Sequence, residues 1–253
     1  MIQTGKKLWL KTVNIFLEDD KIESAIKSGR YDYINIISYN KLSLPGFQLR
    51  QKETAFLDLA LPEEEIFRKF NDTTRNEIRQ TQRLDDFKVV IDGDDFSGIY
   101  QLYNKFEYAQ GRVPFPAGDL KSCHTFSASY RGEIIAGIFV DEAGKHLRLR
   151  YIFSKRVIDA QNEIYKLTSK ATRRLVWEIC QWGKSKGFDL LDLATINFNN
   201  PKTVSIAKFK MSFGGQIVPE YTYIYRSPLF KIFEKLASFR ASLSVFIKKY
   251  VSN

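Results

Sequence analysis

Four arginines, Arg68, Arg75, Arg79 and Arg83, are spaced seven, four and four residues apart. On one continuous helix those spacings would put all four guanidiniums on a single face. That geometry suits bidentate capture of phosphate or carboxylate, although Glu65, Asp72 and Glu77 are close enough in sequence to make it an ordinary solvated face. A second basic pair, Lys155-Arg156, opens the glycine-free stretch 154–162 and offers phosphate contacts by side chain. Asp192 sits near the end of an apolar run, Leu190-Leu191-Asp192-Leu193-Ala194. Burial there would poise a carboxylate to accept a proton; a strand-end aspartate that caps the next turn carries the same sequence signature. Lys210 stands in Phe209-Lys210-Met211-Ser212-Phe213-Gly214-Gly215, a short amphipathic segment closed by two glycines. A fixed ammonium at such a place stabilises negative charge that develops on a substrate. The alternative is a surface lysine beside a core phenylalanine, and Lys202 and Lys208 show how freely this segment takes lysine.

Other chemistries are poorly represented. Cys123 and His124 are adjacent, so on a strand their side chains point to opposite faces and do not form a nucleophile–base pair. Two cysteines and two histidines are too few for a disulfide framework or a dedicated zinc site, and a reducing compartment, the cytoplasm, is the expectation. The opening residues carry no apolar core and cleavage site of a signal peptide, and no run of about 18 apolar residues is present to span a bilayer. The 39 Lys and Arg against 29 Asp and Glu give a net charge of +10, which favours an anionic partner: nucleic acid, a phosphorylated small molecule or an anionic membrane.

The elements that would position these residues follow from periodicity. Residues 1–50 carry little pattern beyond a candidate strand at 31–39 and the turn signal Leu44-Pro45-Gly46. Residues 53–61 alternate as a strand, with Ala55, Leu57 and Leu59 on one face. Pro62 and three glutamates open a helix predicted to run to about residue 83. Then come a strand at 87–91, a helix at 96–109, and three strands at 123–130, 133–140 and 146–153, separated by Arg131-Gly132 and Ala143-Gly144. A long amphipathic helix is predicted over 162–186, a strand over 190–194, the Lys210 helix, and a strand over 216–225. From residue 228 the chain reads as a basic amphipathic helix, with Leu229, Phe230, Phe233 and Leu236 beside Lys231 and Lys235 and a similar mixture out to Tyr250. Packing on the protein body and lying on an anionic bilayer are both open to it.

The order strand, helix, three antiparallel strands, long helix, strand, short helix, strand resembles the GNAT acyltransferase core. The fold expected is therefore α/β, with a mixed, mostly antiparallel sheet flanked by helices on both faces. Phe209-Lys210 in place of the usual tyrosine, together with Ile66 to Gln80 (Phe70, a polar break, Arg75-Asn76, then Ile78-Arg79), resembles the Fem-type branch of that superfamily, the aminoacyl- and acyltransferases of the bacterial cell envelope. The resemblance spans about residues 53–226. It implies an N-terminal arm at 1–86 as the remnant of a first Fem-type domain, a GNAT-like domain at 87–226, and the basic helix at 227–253.

By that resemblance the activity would be transfer of an acetyl or aminoacyl group to the amine of an anionic envelope precursor, an amino sugar or a peptide carried on a nucleotide or lipid. Lys210 and Asp192 would be catalytic. Phe209, Lys155, Arg156 and Asn162 would hold the donor, and Arg75, Arg79, Tyr151 and Asn197 the acceptor. No metal is implied. The shorter chain favours acyl-CoA as donor, whereas the absence of the glycine turn that cradles pyrophosphate in GNAT members favours aminoacyl-tRNA. Two other classes stay open: a non-catalytic nucleic-acid-binding protein of the same fold, and a peripheral membrane scaffold acting through its last helix.

Overall fold

The computed structural model describes residues 2–7, 9–157, 163–201 and 203–236. The chain forms β1 (Ile2–Lys7), β2 (Leu10–Phe16), α1 (Ile22–Lys27), β3 (Tyr33–Ser38), β4 (Gln48–Asp58), α2 (Glu63–Lys69), α3 (Asp72–Gln82), β5 (Phe87–Ile91) and α4 (Phe96–Ala109). It continues through α5 (Ala117–Leu120), β6 (His124–Tyr130), β7 (Glu133–Ala143), β8 (His146–Ser154), α6 (Glu163–Ser185), β9 (Leu190–Asp192), α7 (Val204–Met211) and β10 (Gln216–Arg226), and residues 228–236 form α8. Contacts divide it into two compact units, Glu53–Val218 and Met1–Lys52 with Pro219–Asn253.

The larger unit is built on the sheet order β4-β9-β8-β7-β6-β5. Neighbours are antiparallel except β8 and β9. Alternation along β7 explains why helices cover both faces. Ala136, Ile138 and Val140 pack with Ala171, Leu175 and Ile179 of α6, whereas Phe139 points the other way, to Ile99 and Tyr103 of α4. The β6–β7 hairpin turns through Arg131 (φ 50°) and Gly132 (φ 79°), the left-handed pair that a two-residue turn requires. The expected mixed, mostly antiparallel sheet with helices on both faces is what this unit shows.

The smaller unit has the order β1-β2-β3-β10, with β2 and β3 parallel. Its core is Val13, Ile15, Ile22, Ile34, Ile36 and Tyr223.

The single helix predicted over 62–83 is two. Phe70 leaves helical geometry (ψ 143°), and Asn71, also extended, restarts it: its side chain accepts the Thr74 N–H at 2.8 Å. Asn71 is an N-cap, which the arginine spacing concealed. The correction dissolves the four-arginine face. Arg68 lies on α2, Arg75 and Arg79 lie on α3, and Arg83 is the cap that ends α3. Arg75 folds back across the break, donating to the carbonyls of Arg68 and Phe70 at 2.7 Å each and pairing with Asp72. It satisfies the end of α2 rather than facing a ligand.

The same break receives the end of α7. The Asn71 N–H donates to the Ser212 carbonyl at 2.9 Å, Thr74 Oγ1 donates to Ser212 Oγ at 3.0 Å, and Phe70 meets Phe213 edge to face at 5.2 Å. Gly214 (φ 69°) follows so closely that a Cβ would lie 2.2 Å from the Lys69 carbonyl oxygen. Gly214→Ala is therefore expected to destabilise the protein by about 2 kcal/mol or more, read as a lowered midpoint in chemical denaturation.

At the end of the sheet where β6 begins, His124 bridges Asp92 (Nδ1 to Oδ2, 2.8 Å) and Glu142 (Nε2 to Oε2, 3.1 Å). Burial pulls the imidazole pKa down, but hydrogen bonds and charge from the two carboxylates outweigh it and leave the pKa raised. A raised pKa contributes stability that is fully present below the unfolded histidine pKa and lost as pH rises through the folded one. The stability difference between wild type and His124→Gln should thus be larger near about pH 5.5 than near about pH 8.5, measured by denaturation at each pH.

Candidate active site

Parallel β8 and β9 pair over three positions: His146 with Leu190, Leu147 with Leu191, and Arg148 with Asp192. Beyond Arg148, β8 continues to Ser154 against β7. The chain after β9 instead follows β4, with the Leu193 N–H on the Ala55 carbonyl (2.8 Å) and the Ile196 N–H on the Glu53 carbonyl (2.7 Å). Ala194 makes the bend in a left-handed conformation, φ 61°. Two strands that start side by side thus part, and the ladder groups of each between 149–154 and 193–196 no longer face one another. Such a parting at the carboxyl ends of parallel strands is where a ligand can reach backbone groups inside a sheet.

Asp192 holds the point of parting. It is 0 % exposed. Its carboxylate accepts from the Thr54 hydroxyl on β4, from the Arg148 guanidinium on β8 and from the Ala194 N–H at 2.7 Å. The expectation of a general base is corrected here: three donors from three segments occupy the group, and it is sealed from solvent. Asp192 is an anchor that sets where the strands diverge.

Lys210 lies on α7, 8 % exposed, and donates from Nζ to the Thr195 carbonyl at 3.1 Å. It is therefore no surface lysine, and its ammonium is aimed at the strand-exit segment that borders the parting. Phe209 is half-buried. Its ring meets Phe213 edge to face at 5.2 Å and lies under the guanidinium of Arg173 at 5.3 Å.

Arg173, on α6, was not singled out from sequence. It reaches Thr74 Oγ1 (3.2 Å), Ser169 Oγ (2.8 Å) and the Glu77 carboxylate (2.9 Å). Burial lowers its pKa, Glu77 opposes that, and the like charge of Arg156 adds to it. The only sequence signal is a charge set among Thr168, Ala171, Thr172 and Val176, residues that are all buried on α6.

The remaining expected residues are scattered around this centre. Tyr151 lies on β8 past the parting, packed on Tyr103 (5.3 Å) and Phe115 (5.4 Å). Burial, reinforced by Tyr103, pushes its pKa up to about 12, so it remains a hydrogen-bond donor at neutral pH. Asn197 is exposed beyond the bend, its side chain accepting the Asn199 N–H at 3.0 Å. Arg156 is exposed and stacks over Tyr165 at 5.0 Å, while Lys155 pairs with Glu133. Arg79 rests on Phe67 at 5.3 Å. Asn162 lies outside the described residues, as do Lys202 and the part of the C-terminal helix beyond residue 236. Among the described residues no group of three or more His, Cys, Asp or Glu converges as a metal site, and no helix is long and apolar enough to cross a membrane.

No protein-family model matches the sequence, and no characterised protein matches it by sequence alone. The fold is a different matter. FemX matches over 91 % of this chain and 85 % of its own, with a TM-score of 0.65 at 10 % identity. The chain has a Fem-like fold. L-PGS from Bacillus licheniformis matches with a TM-score of 0.53 and 14 % identity over 90 % of this chain and 81 % of that one. A C-terminal domain from Agrobacterium fabrum, described as that of a lysylphosphatidylglycerol synthetase, gives 0.53 and 15 % over 89 % and 81 %. At these identities the likeness concerns the fold. Within the Fem-like fold of this chain, the break between α2 and α3 and the α7 segment, two motifs far apart in sequence, meet at Asn71, Thr74 and Ser212.

Removing the Asp192 carboxylate breaks its ion pair with Arg148, itself nearly buried. Asp192→Ala is expected to cost about 3–5 kcal/mol, whereas the surface change Lys208→Ala should cost about 0.5 kcal/mol or less. Both are read by urea denaturation.

Proposed function

We propose that this protein is an N-acyltransferase and that the parting of β8 and β9 receives the acyl donor. The observation that carries the reading is the buried ammonium of Lys210, held on the Thr195 carbonyl at the border of that parting. Attack of an amine on a thioester or ester carbonyl forms the new C–N bond and places negative charge on the carbonyl oxygen. Collapse of that intermediate breaks the bond to the leaving thiolate or alkoxide. A preorganised cation close to that oxygen, or to the donor's phosphates, lowers the barrier electrostatically. The amine's proton passes to solvent, since the Asp192 carboxylate is engaged by Thr54, Arg148 and Ala194. Phe209 and Arg173 form the wall beside Lys210, with Arg156 as the nearby exposed cation for phosphate. Tyr151 supplies a hydrogen-bond donor from the opposite strand. Asn197 and Arg79 stand at the exposed margins on the acceptor side.

The acceptor in this reading is an anionic envelope precursor, an amino sugar or peptide on a nucleotide or lipid carrier. Its support is the net charge of +10 and the Fem-like fold. The donor is acyl-CoA or aminoacyl-tRNA. The name lysylphosphatidylglycerol synthetase, carried by one neighbour in fold, describes aminoacylation of a lipid.

Titration with acetyl-CoA and with aminoacyl-tRNA at moderate salt separates the donors. With whichever binds, Lys210→Ala is expected to lower kcat by about 10²–10³-fold, and Lys210→Met, which keeps the buried aliphatic stem, should do the same with an unchanged melting temperature. Turnover indifferent to both substitutions overturns the role of Lys210. Steeply salt-dependent tRNA binding with no transfer would favour the non-catalytic nucleic-acid-binding alternative.

A further inference from the structure

One end of the smaller unit brings together two exposed features that neither the core nor the proposed site uses. Register fixes which end. Thr12 of β2 lies opposite Tyr33 of β3, and Tyr33 lies opposite Arg226 of β10. The β1–β2 hairpin tip, just before Thr12, and α8, just after Arg226, therefore emerge at the same edge.

Asp32 ties them. Its N–H donates to the Lys11 carbonyl at 2.8 Å and its carboxylate accepts the Lys11 N–H at 3.0 Å. Its carbonyl accepts the Ser227 N–H at 2.8 Å and its other carboxylate oxygen accepts the Ser227 hydroxyl at 3.1 Å. Ser227 in turn caps α8, its hydroxyl oxygen accepting the Phe230 N–H at 3.1 Å.

This end exposes what a soluble surface ordinarily avoids. Trp9 at the hairpin tip is 67 % exposed. On α8, Phe230 packs inward on Tyr33 at 4.9 Å, which turns Leu229, Ile232 and Leu236 outward at 50, 57 and 60 % exposure. Their spacing of i, i+3 and i+7 makes one apolar stripe. The balance of charge beside it is positive, since the acidic Glu234 of α8 is matched by Arg226 at 2.9 Å. Lys231 and Lys235 are exposed along the flank of the stripe. Lys6 and Lys11, also exposed, stand directly opposite each other at the hairpin, a like-charge cross-strand pair that costs stability unless an anion neutralises it. An exposed tryptophan with apolar side chains and a rim of lysines matches an anionic lipid surface: the rings and aliphatic chains enter the headgroup boundary and the ammoniums meet phosphate.

We propose that this end of the smaller unit, the Trp9 hairpin tip together with the outward stripe of α8, docks on an anionic bilayer. The inference stands apart from the transferase reading, because docking is measured without donor or acceptor.

The test is co-sedimentation of the full chain with vesicles of phosphatidylcholine alone and of phosphatidylcholine with phosphatidylglycerol. Binding is expected to the anionic vesicles, to weaken with salt, and to be about tenfold or more weaker in Trp9→Ser/Ile232→Asp. Both positions are exposed, so the variant should melt with the wild type. Tryptophan emission should shift to the blue on vesicle addition in wild type and not in Trp9→Phe. Absence of sedimentation with anionic vesicles, or equal binding by the double variant, overturns the proposal. So does self-association in solution that Ile232→Asp abolishes, which would give the stripe to a second copy of the chain.

Discussion

The architecture of the larger unit turns on one buried carboxylate. Parallel strands in a sheet tend to continue side by side, because every residue added gains ladder hydrogen bonds. Here β8 and β9 stop pairing after three residues, and Asp192 makes stopping favourable. It offers the chain three substitutes for a continued ladder: an ion pair to β8, a hydroxyl from β4 and the N–H of Ala194 beyond the bend. The exit segment is then captured by β4 through Leu193 and Ile196. A charge is costly inside a protein unless it is paired and hydrogen-bonded; this one is both. The opening in the sheet is thus held by the same bonds that satisfy the charge.

A second constraint brings the walls of the opening to it. The end of α7 must reach the break between α2 and α3, and a backbone–backbone bond, a hydroxyl pair and an aromatic contact do this at one place. Gly214 is the residue that lets the backbones approach so closely. Once α7 is docked, Lys210 faces Thr195, and Phe209 faces α6, where Arg173 closes the corner against Thr74, Glu77 and the phenylalanine ring. The break in the helix is thus part of the design: a straight helix over 62–83 would carry no extended Phe70-Asn71 to receive the Ser212 carbonyl.

Much of this was legible in the sequence, for identifiable reasons. The larger unit is written in strong periods: alternation in β4 and the three-strand meander, a 3.6-residue repeat through α6, and left-handed turn residues between β6 and β7. The element order followed from these, and the structure bears out the mixed, mostly antiparallel sheet. Failures occurred where a short polar side chain overrode a longer pattern. Asn71 interrupts a helix that the arginine spacing presented as continuous, and Asp192 looked like a buried base because its three donors come from positions 54, 148 and 194. Such long-range partners leave no trace in local sequence. Residues 1–30 were illegible for a related reason: β1 is a polar edge strand, and β2 finds its parallel neighbour only through tertiary pairing.

Lys210 and Asp192 end as opposites, although sequence placed them together as catalytic candidates. Both are buried, and each is held by bonds to neighbouring segments. The carboxylate of Asp192 is met by a full countercharge and two further donors, which is how a protein stores a charge for structure. The ammonium of Lys210 is directed at a neutral carbonyl dipole. That bond orients the cation toward the strand-exit segment, and in a poorly solvated setting a cation's field acts strongly on whatever negative charge forms beside it. Structural economy alone would favour an apolar residue at that position of α7, between Phe209 and Met211. Holding a lysine there, buried and with its ammonium aimed at the strand-exit segment, is the arrangement that supports assigning it to a substrate.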